Sequence, residues 1–260
     1  MKERCFAFGC SYTSHDWPTV ADFVGINFNQ YYNLGISGSS NTFIVDQIIK
    51  ANDIYNFNNT DLILIGTTGF GRFSIYNKDK KEWNHSGDIF PLKHYHDRLQ
   101  QLWAKEFDSV YFSSYRSLLA LKTIKVILNS LNVLHIVYGA VSNINFQYQN
   151  NETNSLLNQF YDLHSIKDDI DNFTITTMPA GEMLGYTFED GTTDRHPSIK
   201  QHYNYFKKYF PDFVNQSSEK FFNYCEQNFQ FDTLRSQQNW YSSYKVQLKN
   251  FINDTKLKNL

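Results

Sequence analysis

What this sequence has little of narrows it first. Its 260 residues hold three cysteines, Cys5, Cys10 and Cys225. An odd and sparse count excludes the disulfide framework that staples small secreted domains. No apolar run approaches the roughly 20 residues that span a bilayer. The apolar stretch nearest the N-terminus, Cys5-Phe6-Ala7-Phe8-Gly9, is too short for the apolar region of a signal peptide. A cytoplasmic protein is therefore expected, or one packaged in a particle made in a cytosol. Neither sign of charge is in excess, with 24 Lys and Arg against 26 Asp and Glu. No basic field draws the chain to nucleic acid or to an anionic membrane, and neither partner is expected. Glycine and proline are scarce as well, while Phe, Tyr, Asn, Lys and Ile are abundant along the whole chain. That joint bias reads as the imprint of an AT-rich genome rather than as a sugar-binding surface.

What is present is an alternation of short apolar runs with helical patterns. Cys5 to Phe8 reads as a buried first strand ended by Gly9. Pro18 to Gly25 has helical spacing, and Phe28 to Leu34 is a second strand candidate. Asn41 to Ile54 places Phe43, Ile44, Ile48 and Ile49 at helical intervals. Asp61 to Gly66 is the clearest buried strand. A helical stretch from Ser113 to Leu131 precedes another strand, Val133 to Tyr138. Phe173 to Thr177 is a weaker fifth strand, and His196-Pro197 opens a helix running to Phe210. Strands alternating with helices predict an α/β domain, a three-layer parallel sheet of about five strands with helices on both faces. In such sheets sites form at the carboxyl ends of the strands. Gly9-Cys10-Ser11, the segment 35–41 and the segment 66–72 should then share one edge.

The expected division is a domain over 1–211 and a C-terminal helical extension over 212–260. The extension docks on the domain or mediates assembly, into a homo-oligomer or a virion. Residues 77–112 are polar and fit the alternation poorly, which marks them as a lid or insertion. His94 and His96 lie two apart, a spacing that meets on a strand but not on a helix. Their surroundings read as helical, so no metal and no other cofactor is expected. There is no internal repeat and no low-complexity linker.

The order of four segments resembles the SGNH/GDSL hydrolase family over roughly residues 4 to 210. Gly9-Cys10-Ser11 is similar to the family's first block and Asn33-Leu34-Gly35-Ile36-Ser37-Gly38-Ser39 to its second. Gly66-Thr67-Thr68-Gly69 falls at the third, and Asp194-Arg195-His196-Pro197 at the last. The Gly-Cys-Ser block, with Arg72 shortly after the third strand, looks closest to divergent phage-encoded members. The resemblance implies a serine esterase with Ser11 as nucleophile, His196 as base and Asp194 behind the histidine. A weak hydroxyl nucleophile needs an adjacent base, and the carboxylate fixes the base's tautomer. The backbone N–H groups of Ser11 and Gly38 and the Thr68 hydroxyl are the implied oxyanion donors. Asn41, Arg72 and Tyr12 are the implied substrate contacts.

Two departures keep alternatives open. Thr68 stands where the family has an asparagine. Asp194 lies two residues before the histidine rather than three, which leaves Asp190, or a dyad without a carboxylate, in play. Ser11 is also expected at the N-terminus of a helix, where the dipole favours an anion. Cys10, beside it on a tight turn, reads as a packing residue. His15 reads as a surface histidine, with a substrate contact as the alternative. Three functions follow. The first is an ester hydrolase acting on a small acyl ester or an O-acylated carbohydrate. The second is a sugar O-acyltransferase on the same residues. The third is a non-catalytic or weakly active virion, tail or carbohydrate-binding protein.

Overall fold

The computed structural model describes residues 3–15, 17–88, 102, 106, 110–139 and 196–228. Four strands form a parallel sheet: β1 (Arg4–Phe8), β2 (Gln30–Asn33), β3 (Leu62–Thr67) and β6 (Leu134–Gly139), in the order β2-β1-β3-β6. Around them lie α1 (Val20–Gly25), α2 (Asn41–Tyr55), α3 (Val110–Ser130), α4 (Ile199–Tyr209) and α5 (Gln216–Asn228). The expected fifth strand at Phe173–Thr177 lies outside the described residues.

The central strands are buried on both sides, and their period of two divides the core. Cys5 and Ala7 of β1, with Leu62 and Leu64 of β3, face a cluster built from α1, α4 and α5, including Phe23, Phe206 and Phe221. Phe6 and Phe8, with Ile63 and Ile65, face the opposite cluster, made by Ile44 and Ile48 of α2 and Leu121, Ile124 and Leu128 of α3. The result is three layers, helix on sheet on helix. Each fully buried Leu, Ile or Phe contributes about 1.5–3 kcal/mol by leaving water. The helix α5 joins the first cluster through Phe221 and Cys225, so residues 216–228 pack on the sheet domain.

Residues 72–88 form an antiparallel hairpin, β4 (Arg72–Asn77) with β5 (Glu82–Asp88). The Asn77 side chain accepts hydrogen bonds from the N–H groups of Asp79 and Lys80 and so shapes the turn. Phe43 of α2 meets the Trp83 and His85 rings, which seats the hairpin over the start of that helix. Residues 77–88, expected as part of a lid or insertion, therefore belong to this hairpin.

Because the four strands of the larger sheet are all parallel, β1, β2 and β3 end on one edge. The strand order reverses direction between β1 and β3, the crevice where open α/β sheets bind ligands. Ser11 follows β1 and Thr68 follows β3, one on each side of that crevice.

Candidate active site

The segment after β1 is held from several directions at once. The Gly9 carbonyl accepts from the Ile36 N–H and from the Ser39 hydroxyl, both at 2.9 Å. The Thr13 carbonyl accepts from the Thr19 hydroxyl and the Asn33 amide, both at 2.7 Å. Asn33 in turn accepts from the Gly35 N–H and donates to the buried Asp22 carboxylate. Asp22 also accepts from the Thr19 N–H and the Tyr31 hydroxyl. Burial raises the Asp22 carboxyl above the usual range, and its donors work against that rise. These buried bonds fix the loop that carries Ser11.

Thr13 is the plug of this arrangement. Its Oγ1 lies 3.3 Å from the Tyr138 hydroxyl of β6. A methyl group on Gly66 would come within 2.4 Å of that oxygen, and one on Gly9 within 2.0 Å. The glycines at the ends of β1 and β3 thus make room for the Thr13 side chain. Burial pushes the Tyr138 phenol well above its ordinary range, so it stays a neutral hydrogen-bonding group.

One expectation is corrected here. Residues 10–14 form only a single turn, in which the Cys10 carbonyl accepts from the N–H groups of Thr13 and Ser14, and α1 begins at Val20. Ser11 does not start a helix, so no macrodipole acts there. Cys10 is fully buried and Ser11 is 4% exposed.

The Ser11 Oγ lies 2.7 Å from His196 Nε2, across 185 residues of sequence. In the tautomer that carries its proton on Nδ1, His196 Nε2 accepts from the Ser11 hydroxyl, the arrangement a general base requires. His196 sits just before α4, and the Trp17 indole donates to the Pro197 carbonyl at 2.8 Å. Tyr12, expected as a substrate contact, lies 5.1 Å from the His196 ring. His15, expected at the surface, is half-buried, with its ring 4.0 Å from that of His196. Behind them His202 of α4 is fully buried, and neither of its ring nitrogens has a hydrogen-bond partner among the described residues. Burial lowers the His202 imidazole well below its ordinary range, and nearby His15 and His196 lower it further. No sequence signal beyond the identity of the residue marked His202.

Thr68 and Asn41 take other roles than those expected. Thr68 is fully buried, and its hydroxyl donates to the Ser39 carbonyl at 3.0 Å. A hydroxyl has one hydrogen, so this bond occupies the donor that an oxyanion would need. The Asn41 amide donates to the Thr68 carbonyl and accepts from the Thr68 N–H, both at 2.9 Å. Asn41 is fully buried and clamps the end of β3 rather than facing a ligand. Gly38 lies in the second loop with φ 76°, a backbone conformation that glycine adopts readily. Arg72 opens β4, half-buried and in register with Asp88. Asp190, Asp194, His94 and His96 lie outside the described residues. Among the described residues no group of three or more His, Cys, Asp or Glu side chains is arranged to hold a metal ion. Likewise, no described helix is long and apolar enough to cross a membrane.

No family model matches the chain, and no curated protein sequence does. Solved structures similar to it include a protein assigned to the lipolytic G-D-S-L family from Desulfitobacterium hafniense, 11% identical, covering 81% of this chain and 99% of the other, with TM-score 0.41. A second, a member of the lipolytic G-D-S-L family from Veillonella parvula, is 15% identical over 80% of this chain and 98% of its own, with TM-score 0.39. A GDSL-like lipase from Bacteroides thetaiotaomicron is 12% identical over 84% and 89%, with TM-score 0.39. At these values the functional reading rests on the geometry of Ser11 and His196.

Proposed function

We propose that this protein is a serine ester hydrolase of the SGNH type, working through an acyl-enzyme on Ser11. The observation that carries the reading is the 2.7 Å contact between Ser11 Oγ and His196 Nε2 at the carboxyl edge of a parallel sheet. In the first step Ser11 Oγ attacks the ester carbonyl while His196 takes the hydroxyl proton. The imidazolium then protonates the departing alkoxide, and the C–O bond to the alcohol breaks. Water, deprotonated by the same imidazole, then attacks the acyl carbon; the bond to Ser11 Oγ breaks, the imidazolium returns its proton to that oxygen, and the acid leaves. The backbone N–H groups of Ser11 and Gly38 are the proposed oxyanion donors, without the Thr68 hydroxyl. The substrate class is a small acyl ester, with O-acetylated carbohydrate as the form favoured by the motif resemblance.

A second reading is favoured by Thr68, whose engaged hydroxyl removes one expected oxyanion donor. Losing such a donor costs about 10²–10³ in rate, which would leave a binding protein with residual activity. Two measurements decide. A short-chain chromogenic ester should be hydrolysed by the wild type and not by Ser11→Ala, and hydrolysis that survives the substitution overturns the proposal. Stoichiometric labelling of Ser11 by a serine-reactive phosphonate supports the enzyme and counts against the binding reading.

A further inference from the structure

The ring of a catalytic base must be held in one orientation while it gains and loses a proton. In this chain the loop that presents the nucleophile also supplies the residues that surround the base. The His15 ring lies 4.0 Å from the His196 ring at an interplanar angle of 33°. The Tyr12 ring lies 5.1 Å away at 51°. The Trp17 ring meets His15 edge-on at 4.0 Å and 74°, so His15 is itself braced. Through its indole N–H, Trp17 also holds the carbonyl of Pro197, the residue next to the base.

We infer that Tyr12, His15 and Trp17 form an aromatic clasp that orients the His196 ring toward Ser11 and stabilises the imidazolium formed during acyl transfer. The inference rests on the proposed hydrolase for its chemical consequence and on geometry for the clasp itself. An aromatic face within about 6 Å of a cation attracts it, and the attraction is larger where water is excluded. Burial holds His202 toward its neutral form, so it places no opposing charge behind the base. His15 and Tyr12 act through His196, as positioning residues. Trp17 acts one step further back, on His15 and on the backbone at Pro197.

The test uses the full chain at pH 8, with His15→Ala and His15→Phe. Two readouts are followed: the rate of Ser11 phosphonylation and the side-chain NMR signals of His196. In the wild type the His196 ring should give a single set of signals, with Nε2 shifted as a hydrogen-bond acceptor. His15→Ala should slow phosphonylation about tenfold, lower kcat on a chromogenic ester with KM within about twofold, and broaden or split the His196 signals. His15→Phe keeps a stacked ring and should restore both readouts to within about threefold of wild type. The clasp is overturned if His15→Ala leaves the His196 signals sharp and the labelling rate within twofold. It is also overturned if His15→Phe falls as far as His15→Ala, since stacking would then not be the operative contact. A wild type inert to phosphonate would count against the hydrolase alone, and the NMR comparison would still decide the clasp. Loss of the folded far-UV CD signal in His15→Ala shifts the decision to His15→Phe, in which unsettled His196 signals overturn the clasp.

Discussion

Replacing Gly66 by alanine places a methyl group 2.4 Å from Thr13 Oγ1 and 2.9 Å from the Tyr138 hydroxyl. Neither side has room to yield. Gly66 lies in β3, which is buried along its whole length and paired to β6 at Tyr138, and Thr13 is itself fully buried. Overpacking of this kind costs about 1–3 kcal/mol, and the upper half of that range is expected here. Thr13→Ala removes the nearer of the two obstacles. Alone it should cost about 1–2 kcal/mol, because the Tyr138 hydroxyl loses its contact with Thr13 Oγ1 in a buried site. Combined, the substitutions should cost about as much as Gly66→Ala alone, so the double-mutant cycle should show a favourable coupling of about 1–2 kcal/mol. Urea unfolding checks this, with midpoints compared at unchanged slope. Phosphonate labelling of Ser11 should follow the same order, since Thr13 sits in the turn that carries the nucleophile. Strict additivity of the two costs, within about 0.5 kcal/mol, would refute the notion that Thr13 fills the space these glycines leave.

Two further outcomes follow from the site. His202 is buried with its imidazole held well below the ordinary range, so below about pH 6.5 the unfolded chain binds a proton that the folded chain refuses. Its contribution is complete above pH 6.5 and is lost as pH falls, at up to about 1.4 kcal/mol per pH unit, and His202→Phe should flatten that slope in urea titrations between about pH 5 and 6.5. Thr68→Val keeps the shape and removes the hydroxyl that donates to the Ser39 carbonyl. Its kcat on a chromogenic ester should fall less than tenfold, whereas loss of about 10²–10³ would return the Thr68 hydroxyl to the oxyanion.

The buried strands were legible because a chain segment covered on both faces must be apolar throughout, and Phe6 and Ile63 to Ile65 are. Their common edge followed from the alternation with helices, and so did the nearness of the Gly9, Gly35 and Gly66 loops. The hairpin over 72–88 was harder to read. Its strands are largely half-exposed, and polar residues such as Ser74 and His85 occupy the face that packs on α2. The turn at 10–14 was misread as a helix start because a single turn and the first turn of a helix are not told apart by residue type alone. The readable sign lay further on, at Thr19 and Asp22, whose side chains cap α1. Thr68 and Asn41 were misplaced because sequence gives the residue type and not the direction of its hydrogen bond. Both side chains serve the loop beside the crevice.

The distance in sequence between nucleophile and base has a structural consequence. Ser11 and His196 meet because α4 packs on α1, with Phe206 against Phe23 and Tyr203 against both Phe23 and Phe222 of α5. The Ser198 cap starts α4 two residues after the base, and Trp17 ties the intervening Pro197 to the nucleophile loop. The 2.7 Å contact is therefore the end point of an aromatic core shared by three helices, and a gap of 1 Å would undo it. Loosening that core by a substitution such as Phe206→Ala would act on the chemistry without touching either reacting residue. In this fold the competence of the site depends on the stability of the α1–α4–α5 layer as well as on the rings that surround the base.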